Sequence, residues 1–65
     1  MITVNGKKID EKKYKNLKEL LLLNKYNLEN IVVLINDNII EKSEWDNYKL
    51  KNNDVIEIVG FVGGG

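Results

Sequence analysis

Neither cysteine nor histidine occurs among the 65 residues, and the two absences remove much of protein chemistry at once. Disulfides, thiolate metal sites, cysteine nucleophiles and imidazole general bases are all excluded. Charge of one sign is also lacking, since ten basic and ten acidic residues cancel. General nucleic-acid binding, which needs a basic surplus to neutralise phosphates, therefore has no electrostatic basis. Long apolar runs are missing as well. The longest, Leu20 to Leu23 and Ile31 to Ile35, fall far short of the ~20 residues a membrane-spanning helix needs, and no signal peptide is recognisable. With no cysteine pair to suggest an oxidising compartment, the expectation is a soluble cytoplasmic protein, monomeric when free, that binds neither membrane nor nucleic acid.

What the chain does have is one small domain's worth of Leu, Ile and Val. A domain of this length buries only about 60% of its unfolded surface, so stability must come from a densely apolar centre and complete backbone pairing. The Lys-rich segment Lys7 to Lys18 sets six lysines against Asp10 and Glu11. It reads as a solvated edge strand and helix start, with a docking patch for an acidic partner as the weaker reading.

In chain order, Met1 to Val4 alternates apolar and polar residues and runs into Asn5-Gly6, the dipeptide suited to a type I′ hairpin turn. The second strand, about Lys7 to Asp10, is polar apart from Ile9, as suits an edge, and Glu11 to Lys15 is read as a connection. Asn16 is a candidate N-cap with Glu19 in the capping-box position. Leu17, Leu20 and Leu21 then share a helical face, with Leu22 and Leu23 expected to widen the apolar arc, and the helix should stop near Asn24 to Tyr26. Leu28 is expected to fold back onto the core.

Ile31 to Ile35 is a continuous β-branched and Leu run, expected to be a central strand buried on both faces. Asn36-Asp37-Asn38 is turn chemistry leading to a short strand Ile39 to Glu41. Ser43 is the expected cap of a single turn that places Trp45 as a lid on one end of the core. A brief extended piece at Tyr48 to Leu50 and a turn at Lys51 to Asp54 precede the last strand, Val55 to Val59. There Ile56 and Ile58 share one face and Val55, Glu57 and Val59 the other. The apolar pair around Glu57 is a candidate interaction surface.

Strand, strand, helix, strand, short strand, strand implies a mixed sheet of four to five strands curled around one helix. A right-handed crossover would set the third strand parallel to the first. The expected fold class is α+β, the ubiquitin-like β-grasp, with residues 1–60 as the domain and residues 61–65 as a flexible glycine-rich tail.

Catalytic groups are scarce. Glu41 with Glu44, or Asp46 with Asp54, might be imagined as paired carboxylates, yet each lies at a turn or strand end where capping or solvation accounts for it. No phosphate-cradling glycine loop precedes the helix. What is unusual is the final stretch, Phe61-Val62-Gly63-Gly64-Gly65. Residues without a Cβ can enter, in extended form, a channel too narrow for any side chain. A carboxylate at Gly65 would then be a reactive end on a tether, sterically open once activated.

These residues, together with Val4-Asn5-Gly6, the Leu-rich helix, Ile35-Asn36 before Ile39-Ile40, Glu44-Trp45 and Asn53 to Val59, resemble the ThiS family of sulfur carrier proteins over essentially the whole chain. The Lys-rich stretch Asp10 to Asn16 departs from the family's pattern at the helix start. The resemblance implies a β-grasp protein that is not itself an enzyme and binds no cofactor. It implies that Gly65 is adenylated by an E1-like ThiF enzyme using ATP and magnesium, and then converted to a thiocarboxylate with sulfur from a cysteine persulfide. That sulfur would pass to the thiazole synthase ThiG. Gly63 and Gly64 would thread the partners' active sites, Phe61 and Val62 would form the neck of the tail, and no metal would be held. Terminal glycines are shared more widely, so a small sulfur-carrier subunit of molybdopterin synthase, a ubiquitin-like modifier and a plain interaction module remain alternatives from the residues alone.

Overall fold

A computed structural model describes residues 1–61. Two strands before the helix, β1 (Ile2–Val4) and β2 (Lys7–Ile9), and three after it, β3 (Ile31–Ile35), β4 (Asn38–Ile40) and β5 (Val55–Gly60), form one five-stranded sheet in the order β2-β1-β5-β3-β4. Strand β1 (Ile2–Val4) pairs antiparallel with β2 (Lys7–Ile9). The turn between them has Asn5 at φ 48 and Gly6 at φ 86, two successive positive φ values that match the right-handed strand twist and that Asn and Gly adopt at little cost. The same device joins β3 (Ile31–Ile35) to β4 (Asn38–Ile40), where Asn36 and Asp37 have φ 51 and 70.

The helix α1 (Leu17–Leu23) starts as its sequence dictates. Asn16 Oδ1 accepts the Glu19 N–H at 2.8 Å, and Glu19 Oε1 reaches back to the Lys15 N–H at 2.8 Å, one residue before the position of an ordinary capping box. At its other end the Tyr26 and Lys25 N–H groups donate to the carbonyls of Leu21 and Leu22 at 3.1 and 3.0 Å. That is the Schellman closure, with Lys25 at φ 63 in the place glycine usually takes.

One face of the sheet and one face of α1 make the core. Ile2, Val4, Val33, Ile35, Ile56 and Ile58 meet Leu17, Leu20 and Leu21, and Trp45 closes one end with its indole N–H donating to the Ile40 carbonyl at 3.0 Å. Trp45 is thus the expected lid, and Leu28 packs against the core from a 3-10 turn at Leu28–Asn30.

Several expectations are corrected. Leu22 and Leu23 do not widen the buried arc; they are 52% and 63% exposed. At 100° per residue they fall opposite the Leu17–Leu20–Leu21 stripe. Strand β3 is not buried on both faces. Only Val33 and Ile35, which point at α1, are fully buried, and the centre of the sheet belongs to β5 (Val55–Gly60).

The third strand is also not parallel to the first. β3 runs antiparallel to β5, and β5 is the strand parallel to β1. The helix follows β2 rather than β1, so the crossover rule makes β3 parallel to β2 and hence opposed to β1. The connection Glu11–Lys13 is a 3-10 turn capped by Asp10. Ser43 lies inside the 3-10 turn Lys42–Glu44, whose preceding residue Glu41 makes no side-chain cap. Tyr48 to Leu50 forms no strand; its Tyr48 carbonyl instead accepts the Leu17 N–H at 2.9 Å.

Candidate functional site

The last strand positions the candidate site. β5 is held on both flanks: by β1, with Thr3 opposite Val55 and Val4 opposite Ile56, and by β3 from Ile35 opposite Ile56 out to Ile31 opposite Gly60. Alternation along it is strict. Ile56 and Ile58 are buried, whereas Val55 and Val59 are 49% and 50% exposed on the other face. The pairing continues past the strand, since the Phe61 N–H donates to the Asn30 carbonyl at 2.7 Å. The Phe61 ring is 57% exposed at the next alternate position.

Register fixes what lies around Val55 and Val59. Val32 is opposite Val59, Leu34 opposite Glu57, and Ile39 opposite Leu34. Val32 and Leu34 are half-buried and Ile39 is exposed. The open face of the sheet is therefore an apolar field of Val32, Leu34, Ile39, Val55 and Val59 with the Glu57 carboxylate among them. The alternation of β5 foretold Val55 and Val59. Val32 and Leu34 were missed because an unbroken apolar run reads as buried on both sides. A groove of about 370 Å³ adjoins this face beneath Val32 and Ile39, lined also by Leu28, Ile31, Ile40 and Trp45. The Lys42 ammonium meets the Glu29 carboxylate at 2.6 Å on its rim and holds that carboxyl below the ordinary range.

The imagined carboxylate pairs are not catalytic arrangements. Asp46 is exposed and faces the Lys18 ammonium at 3.4 Å. Asp54 is buried, and its oxygens accept from the Asn36 side-chain amide at 3.0 Å, the Tyr48 hydroxyl at 3.0 Å and the Lys51 N–H at 2.9 Å. Burial, reinforced by that bond and by the nearby carboxylate charge, pushes the Tyr48 hydroxyl up to about 12. Glu41 precedes the 3-10 turn and Glu44 ends it, the Glu44 N–H donating to the Glu41 carbonyl at 2.8 Å. Among the described residues no group of three or more Asp or Glu side chains is placed to hold a metal, and no helix is long and apolar enough to cross a membrane. Of the anticipated site residues, Val55 and Val59 lie on the exposed face of β5, and Phe61 follows one residue beyond its end. Val62, Gly63, Gly64 and Gly65 lie outside the described residues.

Comparison with known proteins agrees with this architecture. The Bacillus subtilis (strain 168) protein named sulfur carrier protein ThiS is 43% identical over 67 residues, spanning all of both chains. The uncharacterized protein ycf40 of Trieres chinensis is 37% identical over 62 residues, 95% of this chain and 85% of that one. The crystal structure of the thiamine biosynthesis protein ThiS from Geobacter metallireducens superposes with a TM-score of 0.76 at 33% identity, covering 98% of this chain and 97% of that one. Its solution structure gives 0.75 at the same identity, covering 98% and 86%. With the ThiS family model matching residues 1–65, this chain belongs to the ThiS family.

Proposed function

We propose that this chain is the sulfur carrier of thiazole formation in thiamine biosynthesis, with Gly65 as the residue that bears the sulfur. The observation that carries the reading is the match to ThiS proteins over the whole length, on a fold whose last central strand leads directly to Phe61 and the glycines. The chain is then a cosubstrate of other enzymes in the cytoplasm rather than an enzyme. Residues 1–60 form the handle that partners grip, and residues 61–65 form the tether.

Chemistry explains the division of labour. A carboxylate is a poor acylating agent because its oxygen leaves badly. An E1-like ThiF enzyme, using ATP and magnesium, would convert the Gly65 carboxylate to an acyl adenylate with release of pyrophosphate. The terminal sulfur of a cysteine persulfide then bonds to the carbonyl carbon as the bond to AMP breaks. A second thiol takes the remote sulfur of the resulting acyl disulfide and leaves a thiocarboxylate. One difficult displacement becomes several easier ones. The thiazole synthase ThiG would accept the sulfur. The open face around Val55 and Val59, continuous with Phe61, supports docking, because an apolar field of this kind at the root of a tether suits a protein surface.

The test is intact-mass spectrometry after incubation with ThiF, ATP, magnesium and a persulfide donor. The full chain should gain one sulfur in place of one oxygen, and a variant lacking Gly65 should gain none. Val59→Asp should stay folded and load roughly tenfold more slowly, as expected for a lost interface contact worth over 1 kcal/mol. An unchanged mass with a demonstrably active partner, or sulfur uptake without Gly65, would sink the reading.

A further inference from the structure

The parallel pairing of β1 with β5 ends at Val4 opposite Ile56, yet β5 runs on to Gly60. In a parallel ladder the next residue, Asn5, would donate to one carbonyl of β5 and accept from the amide two positions further on. It does the first: its backbone N–H donates to the Ile56 carbonyl at 2.9 Å. For the second its backbone is unsuited, because at φ 48 it has left the extended conformation to make the hairpin turn. The side chain supplies the missing rung. Asn5 Oδ1 accepts the Ile58 N–H at 2.8 Å, and Asn5 Nδ2 donates to the Ile58 carbonyl at 3.3 Å. On the opposite flank β3 keeps contact through Gly60, and the Asn30 carbonyl holds Phe61. Ile58 is thus the last residue of β5 with a neighbour on both flanks: Val33 lies opposite it on β3, and on the β1 side the Asn5 amide alone bonds its N–H and carbonyl.

We propose that Asn5 is a positioning residue for sulfur loading. By completing the grip on Ile58 it sets the direction in which the chain leaves the body at Phe61. That direction governs how the reacting carbonyl is presented once the body has docked. The inference rests on the sulfur-carrier reading above. Left-handed backbone admits Asn, Asp and Gly at this position. Only Asn combines an acceptor for the Ile58 N–H with a donor for the Ile58 carbonyl. Asp would keep the acceptor and set a carboxylate against that carbonyl, while Gly would keep the turn and lose both bonds.

Asn5→Gly and Asn5→Asp in the full chain separate this role from a purely structural one. Amide hydrogen exchange by NMR should speed up about tenfold or more at Ile58 in Asn5→Gly, as local opening predicts, with Val33 in the core unchanged. In steady-state loading by ThiF with ATP, magnesium and a persulfide donor, Asn5→Gly should lower kcat about tenfold, the order expected for a misplaced reacting group. KM should move less than about twofold, because the docking face is untouched. Asn5→Asp should fall between the two.

A merely structural residue would instead reduce the folded fraction and so raise the apparent KM, and cooling would restore the rate. Wild-type kcat in Asn5→Gly, a deficit confined to KM, or an unchanged Ile58 amide overturns the proposal while the carrier reading stands. Failure of the unsubstituted chain to take up sulfur overturns the carrier reading and this inference with it.

Discussion

Asp54 is the one charged residue buried among the described residues, and it is tolerated because its two oxygens meet three donors from different parts of the chain. It links the β3–β4 turn, through Asn36, to the Tyr48 segment and to the start of β5. Asn36 Oδ1 in turn accepts the Val55 N–H at 3.0 Å, so Asn36 and Asn5 each hold one end of β5 through a side-chain amide. Asp54→Ala leaves the three donors unpaired and should cost about 3 kcal/mol, the range for hydrogen bonds to a charged group. Urea unfolding checks it, and a loss under 1 kcal/mol would show that water replaces the carboxylate.

The raised Tyr48 hydroxyl has a pH consequence. Its folded value of about 12 exceeds the ordinary 10.0. The stability it contributes is therefore complete below about pH 10 and is lost as pH rises through 12. Tyr48→Phe should flatten that alkaline decline in urea-midpoint measurements; an identical slope in the variant would refute the assignment.

At the scale of elements, α1 has only seven residues, too few for a stable isolated helix, so its packing face carries its stability. Leu20 is wholly buried, and Leu22 is half exposed on the far side. Leu20→Ala should cost 2–5 kcal/mol by the usual cavity penalty, about that of other core leucines, whereas Leu22→Ala should stay within about 0.5 kcal/mol. Thermal unfolding of the two variants decides between this one-sided packing and a helix buried all round. The N-cap Asn16, its partner Glu19 and the two positive-φ turns were legible from sequence because each depends on residues a few positions apart. The outward turn of Leu22 and Leu23 was not read, although their spacing implies it, because a run of four leucines looks uniformly apolar. The one-sidedness of β3 was hidden for a different reason: β-branched residues suit a pleated sheet on either face, and only the position of α1 selects Val33 and Ile35.

At the scale of the molecule, the β-grasp order was legible, and the strand directions were legible only in part. Which strand the helix crosses from decides which strand β3 parallels, and the hairpin ahead of the helix moves that origin from β1 to β2. The candidate site divides in the same way. Alternation exposed Val55 and Val59, while the bonds from Asn5 to Ile58 span fifty-three positions and leave no mark on local sequence. Both features serve a single design, a strand whose backbone is held as far as Phe61.

The central claim is that Gly65 carries sulfur. Its most direct test is the intact mass of the protein purified from its native host grown without thiamine. The account predicts a population in which one oxygen has been replaced by sulfur, mapping to Gly65 by fragmentation. A carboxylate alone under those conditions, or isopeptide conjugates to lysines of other proteins in its place, would contradict it.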